Sequence, residues 1–134
     1  MTQALEGAAV GMLMYADTAG IQVEDRLLEH IRLAVGQRLR RGESFMLNLT
    51  TDDNGNSLRR NLWISPSIPL QFVAFGSRTP QINRTWVQAM GDTEDSTGTM
   101  TVMTEAESIE YFEHKHTRLM SDLHGSRRAE LIAS

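Results

Sequence analysis

The six residues DDNGNS, Asp52 to Ser57, are a dense turn signal between two strand-like runs. ESFMLNLTT stands before them and LRRNLWIS after them. A connection this short joins antiparallel neighbours, because a parallel return needs a crossover of about a dozen residues or more. The chain is therefore built around an antiparallel ribbon. Upstream, EDRLLEHIRLAVGQRLRRG has the helical period: Leu27, Leu28, Ile31, Val35 and Leu39 recur at steps of three and four and make one apolar stripe. Glu24 and Asp25 stand at its start and Arg38, Arg40 and Arg41 at its end, the charge order that suits a helix dipole. Gly42 is expected to stop this helix in a left-handed conformation.

The remaining elements follow from the same rules. GMLMYAD and IQVED read as two short strands around a turn at Asp17 to Gly20. PSIP breaks the chain after LRRNLWIS, since proline removes a ladder donor, and LQFVAFGS is a further strand. QINRTWVQAM spaces Ile82, Trp86, Val87 and Met90 helically, with Pro80 expected in or near the first turn. A polar loop at 91–98 leads to a last strand in TMTVMTE, and a third helix is expected from Glu105, with GSRRAELIAS as a loose end or a short extra turn. The expected class is α+β: a mostly antiparallel sheet of about six strands, two helices packed on one face, and an additional C-terminal helix. The expected division is an α+β domain over residues 1–104 and a helical extension over 105–134.

At 134 residues the chain is long enough for one domain with one real core. It has no cysteine, which excludes disulfides, thiolate metal sites and cysteine nucleophiles. No apolar run approaches the roughly 18 residues of a membrane span, and the N-terminal MTQALEGAAVGMLMYAD lacks a basic n-region, so a cytoplasmic location without membrane contact is expected. The formal net charge of −4 gives no global attraction to nucleic acid. Lys115 is the only lysine; the other basic residues are arginines, whose planar forks suit phosphates, carboxylates and aromatic faces. A bias that runs along the whole chain also fits codon usage in a GC-rich genome.

Two constellations stand out. Arg38, Arg40, Arg41, Arg59, Arg78 and Arg84, with Trp63, have the composition of a single-strand nucleic-acid platform. The competing reading pairs these arginines with Asp25, Glu29 and Glu43 and leaves them as solvated helix ends. Trp86 shares helical spacing with Ile82 and Met90, which points to the core. Trp63 alternates with Arg59 and Asn61, opposite Leu58, Leu62 and Ile64. The second constellation is the stripe Ile109, Phe112, Leu119 and Leu123 on the C-terminal helix, with His116 on the same face and Met120 beside it. Such a stripe must bury against something: its own domain, a second copy or another protein.

Other chemistry is weakly represented. His114 and His116 are two apart and point to different sides of a helix, whereas a helical zinc pair wants a spacing of four. His30 is expected to partner a nearby carboxylate. DDNGNS lacks the twelfth-position glutamate of a calcium loop, GESF and GSRTP lack the glycine spacing and lysine of phosphate loops, and no G-x-S-x-G elbow occurs. No metal, cofactor or catalytic residue is expected. The expected function is non-enzymatic association: a homo-oligomer, an adaptor or a component of a larger, for example phage-related, assembly. The alternative is a nucleic-acid-binding accessory protein using the Arg/Trp surface.

Several pieces in order, GMLMY, DRLLEH, RLRRGESF, LWISP and GSRTPQINRTW, resemble a family of small actinobacterial proteins of unknown function whose members are often labelled ATP-dependent DNA ligase. The resemblance spans about residues 10–104 and implies a compact α+β unit; it supplies no activity and no catalytic residues. A self-contained ligase needs a lysine nucleophile in a K-x-D-G setting. Lys115 stands in EHKHTRLM, without that aspartate and glycine, so self-contained ligase activity is rejected.

Overall fold

The structure is a computed structural model that describes residues 10–76, 78–93 and 98–133. Its elements run β1 (Val10–Tyr15), β2 (Ile21–Glu24), α1 (Asp25–Arg40), β3 (Phe45–Asp53), β4 (Asn56–Ile64), β5 (Leu70–Val73), α2 (Arg84–Asp92), β6 (Met100–Thr101) and α3 (Glu105–Ala133). The class is α+β, as the alternation of periods implies. The strands form two three-stranded sheets, ordered β2-β1-β5 and β4-β3-β6. All pairings are antiparallel except that of β3 with β6, which is parallel through Leu47↔Met100 and Asn48↔Thr101.

The hairpin forms at the expected place. Asn54 (φ 52) and Gly55 (φ 82) both take left-handed backbone, the two-residue turn whose twist matches antiparallel strands. It fixes a register from Asp53↔Asn56 to Phe45↔Ile64. Chain direction then changes at the prolines. Ile68 N–H donates to Ser65 O and Ala16 N–H to Pro69 O, so β5 is handed to β1 and not laid beside β4. The expected single sheet is therefore two.

Helix α1 is capped by the Glu24 side chain, which accepts from the backbone N–H groups of Arg26 and Leu27. It ends at Gly42 (φ 75), whose N–H donates to Leu39 O while Glu43 N–H donates to Arg38 O. A Cβ would be strained at this φ. Gly42→Val is expected to cost about 1–2 kcal/mol in urea unfolding; an unchanged midpoint would contradict the cap.

Two boundaries differ from expectation. α2 begins at Arg84, not at Pro80, because Asn83 is its cap and accepts from Thr85 and Trp86 N–H. α3 continues through GSRRAELIA to Ala133 without a break. That stretch has no proline, its one glycine costs only about 1 kcal/mol relative to alanine, and Arg127 to Leu131 are good helix formers. Residues 94–97 of the expected polar loop lie outside the described residues, as do 1–9 of the N-terminus.

The core gathers Leu13, Leu28, Ile31, Val35, Leu47, Leu49, Ile64, Trp86, Met90 and Met100 from every layer. Trp86 is its hub. The indole stacks on His30 at 4.2 Å and donates from Nε1 to Met103 O at 2.9 Å. His30 is fully buried, and both its ring nitrogens meet backbone: Nδ1–H faces Arg26 O at 2.7 Å, and Nε2 accepts from Asn83 N–H at 2.8 Å. The expected carboxylate partner of His30 is thus replaced by two peptide groups, the Arg26 carbonyl of its own helix and the Asn83 N–H that ties α1 to the start of α2.

Candidate functional site

The structure divides the arginine constellation. Arg38 is 5% exposed. Its guanidinium donates to Gly91 O and Thr93 O at the end of α2 and lies over the Phe45 ring at 5.0 Å. It closes a helix C-terminus from inside the fold, so it does not stand with the exposed arginines. Arg41 is paired with Glu43 on the surface. Glu29 pairs with Arg32, and among the described residues buried Asp25 has no ion pair and its Oδ1 meets no donor. Arg40, Arg59, Arg78 and Arg84 are exposed on four different elements or loops. Arg84 follows Asn83, which contacts His30 in the first half of α1, whereas Arg40 and Arg41 close that helix roughly 15 Å away along its axis at ~1.5 Å per residue. One pairing from the sequence does share a surface: Arg59, Asn61 and Trp63 lie on the outer face of β4, opposite Thr50, Asn48 and Met46 of β3. Trp63 is 48% exposed there, and Trp86 is buried. With the basic side chains dispersed and a net charge of −4, single-stranded DNA is expected to leave the Trp63 fluorescence unchanged near physiological salt. A salt-sensitive quench lost in Arg59→Glu would reverse that expectation.

Helix α3 has two halves. The first is fastened to the domain. Thr104 and Glu107 form a capping box, with Thr104 N–H donating to Glu107 Oε1 at 2.8 Å and Glu107 N–H to Thr104 Oγ1 at 3.1 Å. Arg26 grips Glu105 with both terminal nitrogens, at 2.7 and 2.9 Å, and Asn83 Nδ2 donates to the same carboxylate at 2.7 Å. One turn on, Ser108 is fully buried; Tyr111 O–H and Lys115 Nζ both donate to Asp92 Oδ2, and Phe112 packs against the core. The expected boundary between Thr104 and Glu105 is therefore bridged by contacts. The fastened part of α3 reaches Lys115.

These contacts hold carboxylates ionised. The hydrogen bonds from Arg26 and then Asn83 bring Glu105 from 4.5 down to about 2. Lys115 and then Tyr111 lower Asp92, while burial, and then Asp92, push Tyr111 up to about 12. A carboxyl whose folded value lies below its unfolded one stabilises the fold above the unfolded value and loses that contribution as pH falls through the folded one. Thermal stability is thus expected to decline from pH 4.5 toward about 2, and Glu105→Gln to flatten that decline. An unaltered acid limb in this variant would show that the clamp contributes nothing.

The second half of α3 leaves the domain. Leu119, Met120 and Leu123 are 54%, 43% and 61% exposed, and Ile109, on the same stripe, is 54% exposed. The steps from Ile109 to Phe112, His116, Leu119 and Leu123 are three, four, three and four, a mean of 3.5, which is the seam spacing of two supercoiled helices. Where the stripe still touches the domain it borders an open groove of about 590 Å³, lined by Thr85 of α2 and by Ile109, Phe112, Glu113, His116 and Thr117. A second, polar cleft of about 440 Å³ lies between the ends of α1 and α2 and is walled by Arg38, Gln37, Gln88 and Lys115. The Arg38 and Lys115 charges there are already engaged by the α2 carbonyls and by Asp92. Among the described residues no group of three or more His, Asp or Glu side chains is arranged to hold a metal, and no helix is long and apolar enough to cross a membrane.

The sequence profile of a domain of unknown function, DUF7882, matches residues 10–105, and the chain belongs to that family. The matched span ends where α3 begins, so most of α3 lies beyond it. No curated protein and no solved structure matches the chain.

Proposed function

We propose that this DUF7882 chain is a non-enzymatic cytoplasmic protein that works by association, and that the surface it associates through is the apolar stripe of α3, packed on a second copy. The observation that carries this reading is the exposure of Leu119, Met120 and Leu123 on a helix that has already left its own domain. Among the described residues none covers them: the contacts of α3 with α2 and the core end near Lys115. Three further points support a copy of the same helix as the occupant. The 3.5 spacing is that of a seam between like helices. A two-fold pair uses the same patch twice, so a single stripe supplies both sides of the interface. The described part of α3 is 29 residues long, about 43 Å at ~1.5 Å per residue, which gives a seam of several turns.

Two truncations separate this reading from one in which the stripe completes the domain. Ending the chain after Arg118 keeps Glu105, Ser108, Tyr111, Phe112 and Lys115 and removes the projecting half. Light scattering is expected to give a folded monomer with little change in melting temperature. Ending it after Thr104 removes the clamp as well, and is expected to lower the melting temperature sharply. If the chain cut after Arg118 keeps the oligomeric state of the full chain, association runs through another surface.

A further inference from the structure

The two halves of the stripe differ in what surrounds them, and that difference bears on how two copies would lie. This argument rests on the association proposed above and concerns its geometry. Ile109, Phe112 and His116 border a groove whose far wall is Thr85 of α2. Leu119, Met120 and Leu123 stand clear of the domain and expose 43–61% of their surface. One half is a receptacle and the other a projection. We infer that the second copy docks antiparallel, with its Leu119 and Leu123 seated in the groove between Ile109, Phe112, His116 and Thr85, and with the reciprocal contact made by the two-fold axis.

The seam register places Leu123 of one copy opposite Phe112 of the other, and Leu119 opposite His116. The axis then passes between Thr117 and Arg118. Each projection enters a receptacle and each receptacle is filled, so the interface closes on itself. Charge points the same way. Residues 105–117 carry four glutamates against one lysine, whereas residues 118–133 carry three arginines against one aspartate and one glutamate. An antiparallel pair lays the acidic half of each helix along the basic half of the other; a parallel pair lays glutamates beside glutamates. A parallel pair also seats neither projection in a groove.

The absence of cysteine allows a single spin label to be placed without background. Ala106 is exposed at the start of α3, away from the stripe, and Ala106→Cys carries the label. In an antiparallel pair the two labels are separated by the axial length of about 23 residues, roughly 30–40 Å at ~1.5 Å per residue. In a parallel pair they sit side by side, within about 20 Å, given interaxial distances of ~8–10 Å. A pulsed dipolar measurement on the full chain is expected to give the long distance, and Leu119→Asp with Leu123→Asp in the labelled chain is expected to remove it. A short distance would overturn the antiparallel inference while leaving self-association standing. The absence of any intermolecular distance at concentrations where the chain should pair would overturn both.

Discussion

Replacing Leu119 and Leu123 together by aspartate is expected to convert the chain to a monomer without unfolding it. Both side chains are more than half exposed on the single chain, so their loss removes little from its core. In a paired helix the same positions face a second apolar surface, and a two-fold pair would bury four carboxylates there. An unpaired charge kept out of water costs several kcal/mol even after relaxation. At about 1.4 kcal/mol per tenfold, even 4 kcal/mol weakens association by roughly a thousandfold. The readout is the molar mass by light scattering over a concentration series, with circular dichroism to show that the domain and α3 remain folded. A variant that is folded and still paired would remove Leu119 and Leu123 from the interface.

Trp86→Ala is expected to have the largest effect on stability, about 3–5 kcal/mol. A domain of this size has roughly 5–15 kcal/mol in all, so this one change consumes a large share. Trp86 is 4% exposed and joins α2 to α1 and to the segment that leads into α3. Its ring packs on His30 and lies under the Arg26 guanidinium at 5.2 Å, and its Nε1–H satisfies Met103 O. Truncation opens a cavity and strands that carbonyl. Trp86→Phe keeps most of the volume and loses the hydrogen bond alone, which should cost about 1–2 kcal/mol. Urea unfolding separates the two variants, with the exposed Trp63 as the remaining fluorophore. Near-equal costs for Ala and Phe would show that the hydrogen bond, and not the packing, dominates.

How much of this was legible in the sequence depends on whether the signal was local. The α1 stripe, the Gly42 stop, the Asn54–Gly55 hairpin and the core placement of Trp86 are short-range patterns, and each appears where those patterns put it. Pairing partners are not local. β5 joins β1 across more than fifty residues, and β6 lies parallel to β3, so neither the split into two sheets nor the parallel pair could be read from strand composition. The same holds for Glu105, whose partner Arg26 is 79 positions away. Two features were readable and lay hidden behind stronger patterns. Arg38 falls seven residues after Ile31 and three after Val35, on the buried face of α1, and only its membership in an arginine run suggested a surface role. The capping box of Thr104 and Glu107 marks the start of α3 in sequence, just inside the domain the helix is fastened to.

The candidate surface was legible for a simpler reason. A stripe of mostly apolar residues at a mean step of 3.5 on a polar helix calls for a covering surface, and the structure adds how much of the stripe the domain itself covers: Phe112 is packed on the core, while Leu119 and Leu123 are not. The decisive question is whether the full chain pairs with itself. Sedimentation equilibrium of the unmodified protein over a range from sub-micromolar to about 100 μM is the most direct measurement. The expected result is a concentration-dependent approach to twice the 15.0 kDa mass of one chain. A mass that stays at 15.0 kDa throughout would contradict it.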